Sequence, residues 1–167
     1  LLLTVPLSFL GNQIFLVTFF IFKIAIALCF LGTALFLSKI AEKIGQEKTY
    51  VLAFFALNPL VIIESLVSAH NDIVMLFFAV VSLWFCIQRK WLVAGIVLLF
   101  SISIKFATVF LLPVYLLLAG FIRQGRQIPW EKILFVMIFF MFAAIIAASI
   151  RTTFQPWYML YPLPFMA

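Results

Sequence analysis

The sequence predicts an all-α, polytopic helical membrane protein, and three observations carry that assignment. Of its 167 residues, 68% are hydrophobic and 10% are charged, against about 45–50% and about 25% in soluble domains. Long charge-free runs, rich in the 22 Phe, give a mean hydropathy of +1.32. The eleven Lys and Arg fall in short clusters between those runs, as in cytoplasmic loops between membrane spans. Collagen-like, disordered and disulfide-scaffold classes have compositions that lie in other directions.

The net charge of +6 is read through that clustering as a topology signal and not as a nucleic-acid surface, so the bilayer is the expected partner. Cys29 and Cys86 both lie in apolar runs without metal-ligand spacing and are expected to pack. The chain starts at Leu1 and stops at Ala167 inside an apolar run. A span needs about 20 apolar residues, so residues 1–167 are expected to be one transmembrane domain fragment of a longer parent.

About five to seven transmembrane segments are expected, some short or kinked. Residues 1–10 are apolar but short and interrupted by Pro6, with Gly11, Asn12 and Gln13 following; they suit an interfacial loop or the end of a preceding helix. The first full span covers about 14–37, with Lys23 inside it, and leads to a basic loop carrying Lys39, Lys43 and Lys48. The second covers about 50–69 and contains Asn58-Pro59, where proline removes a backbone donor and kinks the helix. The polar turn His70-Asn71-Asp72 then falls on the outer side, and a third span over 73–87 returns to Arg89-Lys90.

Residues 91–121 are flanked by basic clusters at both ends, which implies an even number of crossings in too few residues for two full spans. A pair of short helices meeting around 101–105 satisfies both, with Ser101, Ser103 and Lys105 lining a wet cavity. A single long tilted helix is the alternative. The last complete span covers about 133–150 and delivers Arg151 and the 152–158 segment to the outer face. On this topology eight of the eleven Lys and Arg are cytoplasmic, and Lys23, Lys105 and Arg151 are the exceptions.

A charge at the bilayer centre costs roughly 2.5–3.5 kcal/mol on insertion scales, so charged residues inside spans are functional candidates. Glu64 and Asp72 flank His70 in ESLVSAHND. Such a carboxylate takes a proton from a hydroxyl nucleophile when burial raises its basicity. Lys105 or Arg151 suits an anionic phosphate leaving group. The structural alternatives are a helix N-cap at Asp72, a hydrogen-bonded turn at His70, and an ion pair of Glu64 with Lys23 or Lys105. Gln155, Trp157 and Tyr158 suit either a substrate contact or an interfacial aromatic belt. No phosphate loop, dinucleotide fingerprint, zinc spacing or serine triad is present.

Three segments in register carry a resemblance: NPLVIIESLVSAHND at 58–72, IKFATVFLLPVYLLL at 104–118 and QPWYMLYPLP at 155–164. They resemble the polyprenol-phosphate-sugar-dependent glycosyltransferases of the C-type membrane fold, especially bacterial α-mannosyltransferases, over about 7–167. The resemblance implies an enzyme that moves a hexose, mannose above others, from a polyprenyl-phosphate carrier to a lipid-linked or polymeric glycan acceptor. Inversion at the anomeric carbon and an active site on the outer face of a bacterial plasma membrane are implied with it. The family's principal catalytic aspartate sits in a first outer loop that would precede Leu1. The resemblance matches His70, Asn71 and Asp72 to an outer turn beside the site, Lys105 to a lysine that approaches the carrier phosphate, and Gln155, Trp157 and Tyr158 to a loop that contacts sugar or acceptor. With the residue reading, Asp72, His70 and Glu64 are the candidates for the proton chemistry, Asp72 alternatively a supporting or acceptor-binding residue, and Arg151 joins the candidate substrate contacts. No resident cofactor is expected; a divalent cation is compatible, although no ligand cluster is complete. A secondary transporter, or a non-catalytic membrane assembly subunit, is the alternative function.

Overall fold

The computed structural model describes residues 9–10 and 14–167, and every regular element among them is a helix. Most of the first apolar stretch, at 1–8 and 11–13, lies outside the described residues. Helix α1 (Phe15–Ile44) runs for 30 residues. It stops where Gly45 turns left-handed at φ 80°, letting the Gly45 and Gln46 amides close back onto the Glu42 and Ala41 carbonyls.

The second expected span is bent. Helices α2 (Lys48–Ala56) and α3 (Pro59–Ile62) meet at Asn58. The segments 48–56 and 59–67 cross at 56°. Asn58 caps the new helix by accepting from the Leu60 amide at 3.0 Å, and Pro59 fills the first helical position, where an amide is not required. Asn-Pro therefore ends one helix and starts another. The α3 helix runs on into a π turn over Ile63–Val67.

Helices α4 (Asp72–Ile87) and α5 (Trp91–Ile104) form an antiparallel hairpin. Ten of the sixteen α4 residues are buried. A helix surrounded by protein need not match the bilayer thickness, because its neighbours rather than lipid meet its ends. Hydroxyls fix this hairpin: Ser82 donates to the Ala94 carbonyl at 2.7 Å, and Tyr115 donates to the Ala79 carbonyl at 3.1 Å. In an apolar surround, small polar residues contribute this kind of interhelical hydrogen bond.

The short-pair expectation for 91–121 holds. The chain breaks at Lys105, whose extended backbone (φ −153°, ψ 130°) separates α5 from a 3-10 turn, Phe106–Leu111, and helix α6 (Leu112–Arg123). No wet cavity forms from the serines. Ser101 is buried, with its Oγ 2.8 Å from the Met75 carbonyl and 3.0 Å from Thr108 Oγ1, while exposed Ser103 bonds back to the Leu99 carbonyl. Both serve packing and backbone satisfaction. Helix α7 (Trp130–Arg151) then returns the chain to the far end. A 3-10 turn (Pro156–Leu160) and helix α8 (Leu163–Met166) follow there.

Three helical segments are long and apolar enough to cross a membrane, and the bent 48–67 pair adds a fourth. The apolar helices α4 and α5 are shorter than a full span, so three to four segments have spanning length against the five to seven expected. Phe15, Leu28, Leu35, Phe139 and Ile150 are each more than half exposed along the outside, as apolar side chains facing lipid must be. Cys86 is buried and Cys29 half-buried, both as free thiols, in keeping with packing roles.

Gly32 of α1 packs closely against Phe77 of α4. A Cβ at this position would lie 2.5 Å from Phe77 Cε2. Gly32→Ala is expected to destabilise the bundle by about 1–3 kcal/mol through overpacking. Phe77→Leu should recover most of the loss, as read by thermal unfolding of the single and double variants.

Candidate functional site

The turn after α3 brings chemistry to one end of the bundle. In the π turn the Ser68 amide bonds to the Ile63 carbonyl at 2.8 Å and the His70 amide to the Glu64 carbonyl at 3.0 Å. Ala69 closes this wide turn at φ 57°, a conformation that glycine would adopt without strain. Single π turns are frequent at functional sites because they re-aim the side chains around them. Here the turn sets Glu64 Oε2 3.3 Å from His70 Nε2.

The imidazole is fixed from a second direction. Trp157 stacks on His70 with centroids 4.2 Å apart and planes 23° from parallel. Glu64 thus orients one ring nitrogen, Trp157 fixes the ring plane, and a side chain still 30% exposed keeps an open edge. A proton held on Nε2 toward the carboxylate leaves Nδ1 as a lone-pair acceptor.

A second pair lies beside the first. Lys105 Nζ donates to Asp72 Oδ1 at 2.7 Å. The Asp72 side chain is only 4% exposed, the Lys105 side chain 35%. The ammonium also lies 4.9 Å from the Tyr158 ring centroid and 5.3 Å from that of Tyr161, a cation–π arrangement on two faces. An ammonium has three donors, so this one keeps capacity for another anion. Trp157 and Tyr158 are chain neighbours with ring centroids 6.2 Å apart, which ties the histidine pair to the lysine pair.

These contacts correct two structural expectations. Glu64 pairs with His70, so neither Lys23 nor Lys105 is its partner. Asp72 is not a helix cap: Asn71 holds that position without a side-chain cap, and Asp72 sits in the first turn with its carboxylate on Lys105. Lys23 binds no carboxylate among the described residues; its ammonium donates to the Leu66 and Val67 carbonyls, the first at 3.0 Å. Those carbonyls end the π turn, where helix geometry leaves them without amide partners. A buried-span lysine is satisfied there, and the turn carrying His70 is fixed from α1.

Other expected site residues lie at the same end in varied settings. Asn71 is exposed in the turn, and Gln155 donates to Thr153 Oγ1 at 3.0 Å. Thr152 Oγ1 lies 3.0 Å from the Tyr158 hydroxyl, so the 152–158 loop is bound to the site by its own side chains. Arg151 ends α7, exposed, and makes no ion pair among the described residues. It complements the helix dipole and is not brought to the lysine pair.

Tyr161 was not singled out by the sequence, although its spacing three residues after Tyr158 puts it on the same side of a turn. Its hydroxyl is buried without a hydrogen-bond partner. Burial, reinforced by the Asp72 charge, pushes its phenol up, so the hydroxyl stays protonated. No three His, Cys, Asp or Glu side chains among the described residues converge on one point. Glu64 and Asp72 are paired with His70 and Lys105.

Residues 2–120 match the sequence model of a family described as Alpha-(1->6)-mannopyranosyltransferase, N-terminal domain. No curated protein and no solved structure matches the chain. The matched stretch includes Glu64, His70, Asp72 and Lys105, while Trp157, Tyr158 and Tyr161 lie beyond it.

Lys23→Met keeps the side-chain length in α1 but leaves the Leu66 and Val67 carbonyls without their donor. The expected loss is about 1–3 kcal/mol, confined to the π turn. Hydrogen exchange should show faster exchange at the Ser68 and His70 amides with α4 unchanged. Uniform deprotection would instead mean that Lys23 supports the whole bundle.

Proposed function

The chain belongs to the alpha-(1->6)-mannopyranosyltransferase family, and from that premise we propose that it transfers mannose from a polyprenyl-phosphate carrier to a glycan acceptor. The reaction runs by single displacement at the non-cytoplasmic face of a bacterial plasma membrane. The supporting observation is the pairing of an oriented, open imidazole with a partly exposed ammonium across the adjacent rings of Trp157 and Tyr158.

In this reading His70 is the base. The acceptor hydroxyl, a primary 6-hydroxyl if the linkage follows the family description, gives its proton to His70 Nδ1 as its oxygen bonds to the anomeric carbon. The bond from that carbon to the phosphate oxygen breaks, and its electron pair leaves on the polyprenyl phosphate. Inversion to an α product requires a β-linked donor. Glu64 steadies the imidazolium that forms, the role of an orienting carboxylate behind a histidine base.

Lys105 meets the departing charge. Its bond to buried Asp72 and its two aromatic faces fix the ammonium in advance, so little reorganisation is needed as negative charge develops on the phosphate. Trp157 and Gln155 offer a flat face and an amide to a sugar ring. A lipid-phosphate donor suits this end of the bundle because its phosphate travels at headgroup level while its chain stays among the exposed apolar helices.

Mannose transfer from polyprenyl-phosphate-mannose to an endogenous glycolipid, measured in membrane vesicles, tests the division of roles. His70→Gln is expected to lower kcat by about 10²–10⁴. Lys105→Gln should lower turnover far more than protein level, and Trp157→Ala should raise a substrate KM. Full turnover by His70→Gln would move the base to another residue. Equal losses of turnover and protein level in Lys105→Gln would make its pair structural.

A further inference from the structure

The opposite end of the bundle carries a second arrangement of unspent charge. Lys43, in the last turn of α1, and Arg89, in the turn between α4 and α5, converge on an open cleft of about 370 Å³ with Trp84, Ile87 and Gln88. No carboxylate lines it. Among the described residues neither cation belongs to an ion pair. Their neighbours are engaged otherwise: Lys39 lies over Phe36 and Lys90 over Phe85, at 5.0 and 5.9 Å from the ring centroids.

The backbone at Arg89 gives an independent reason to regard this as a site. Arg89 adopts φ 63° just after α4, with the Lys90 amide closing onto the Phe85 carbonyl at 2.9 Å. That is the helix-ending position where glycine is the unstrained choice. An arginine held there keeps a local conformational strain while gaining a guanidinium at the mouth of the cleft, the pattern of strain retained at functional positions. Trp84 adds an amphipathic ring of the kind that sits at headgroup level, its edge against Phe36 at 6.5 Å.

We propose that Lys43 and Arg89 clamp the phosphate of an anionic phospholipid, with Trp84 and Ile87 against its glycerol and upper acyl segments. The guanidinium supplies a paired-donor fork for phosphate oxygens and the ammonium a point charge beside it. Lys43 and Arg89 belong to the basic clusters at 39–48 and 89–90, which the charge rule places in the cytoplasm. Basic pockets between helices on that side are suited to acidic headgroups. The clamp joins the end of α1 to the α4–α5 turn, so occupancy braces the two helices whose other ends hold Lys23 and Asp72.

Arg89→Gly separates binding from folding, because glycine relieves the backbone while removing the charge. Thermal unfolding of the protein in nanodiscs of phosphatidylcholine, with or without phosphatidylglycerol, is the measurement. Phosphatidylglycerol should raise the wild-type midpoint by about 5 °C, as for a ligand held well above its Kd. Arg89→Gly and Lys43→Gln should each lose most of that rise, with Arg89→Gly at least as stable as wild type in phosphatidylcholine alone. An undiminished rise in the double variant would overturn the proposal. A rise reproduced by inorganic phosphate in phosphatidylcholine would support the clamp and assign it to soluble phosphate, and failure of phosphate there supports the lipid.

Discussion

The bond between Lys105 and Asp72 is the constraint on which the site end of the molecule depends. Each partner sits where regular structure changes: Asp72 in the first turn of α4, Lys105 at the break after α5. Those two helices are antiparallel, so the pair closes the open end of their hairpin as the tight 88–90 turn closes the other. An unpaired carboxylate as buried as Asp72 would be strongly disfavoured, which makes the lysine obligatory once the aspartate is in place. Lys105 takes an extended backbone at that point (φ −153°, ψ 130°), which ends α5. The 3-10 turn and α6 are then launched in a new direction, against α7 and toward the 152–162 loop that supplies Tyr158 and Tyr161.

Much of this was legible in the sequence for a simple reason. Charge in an apolar chain is expensive, so its position is informative. Basic flanks around a run too short for two full spans predicted the break near Lys105, and the polar 70–72 turn marked the opposite end from the 88–90 cluster. What stayed illegible was pairing. Sequence distance offers Glu64 two lysines and a histidine, and only the π turn decides among them by swinging His70 back over the Glu64 carbonyl. That turn has no signature of its own: ESLVSAH reads as ordinary helix until Ala69 adopts positive φ. Ser101 misled for a related reason, since a serine in an apolar run looks like a pore-liner, yet a carbonyl on α4 and the Thr108 hydroxyl of the following 3-10 turn satisfy it in the dry core.

Aromatic residues have two roles at the two ends. At the basic end Phe36 and Phe85 take up Lys39 and Lys90, and Lys43 and Arg89 make no ion pair among the described residues. At the other end Tyr158 and Tyr161 flank Lys105 without replacing its carboxylate. A ring stabilises a cation without neutralising it, so an ammonium held by rings keeps its charge available in a way that a closed bidentate salt bridge does not. Composition alone cannot distinguish these rings from the many Phe that face lipid.

The same reasoning bears on why a carboxylate as close to the site as Asp72 suits the holding role better than the proton-accepting one. Its side chain is almost wholly enclosed, and its Oδ1 already accepts from Lys105. Protonating it would break the strongest bond at that end of the hairpin and strand an ammonium between two rings, so each catalytic cycle would work against the fold. His70 has the opposite balance. Its ring stacks on Trp157, its Nε2 lies 3.3 Å from the Glu64 carboxylate, its side chain is 30% exposed, and a proton gained in the proposed reaction would turn the contact with Glu64 into an ion pair. In the proposed reaction the two acidic residues would divide accordingly: Asp72 holds the charge of Lys105, and Glu64 would steady a charge that forms on His70.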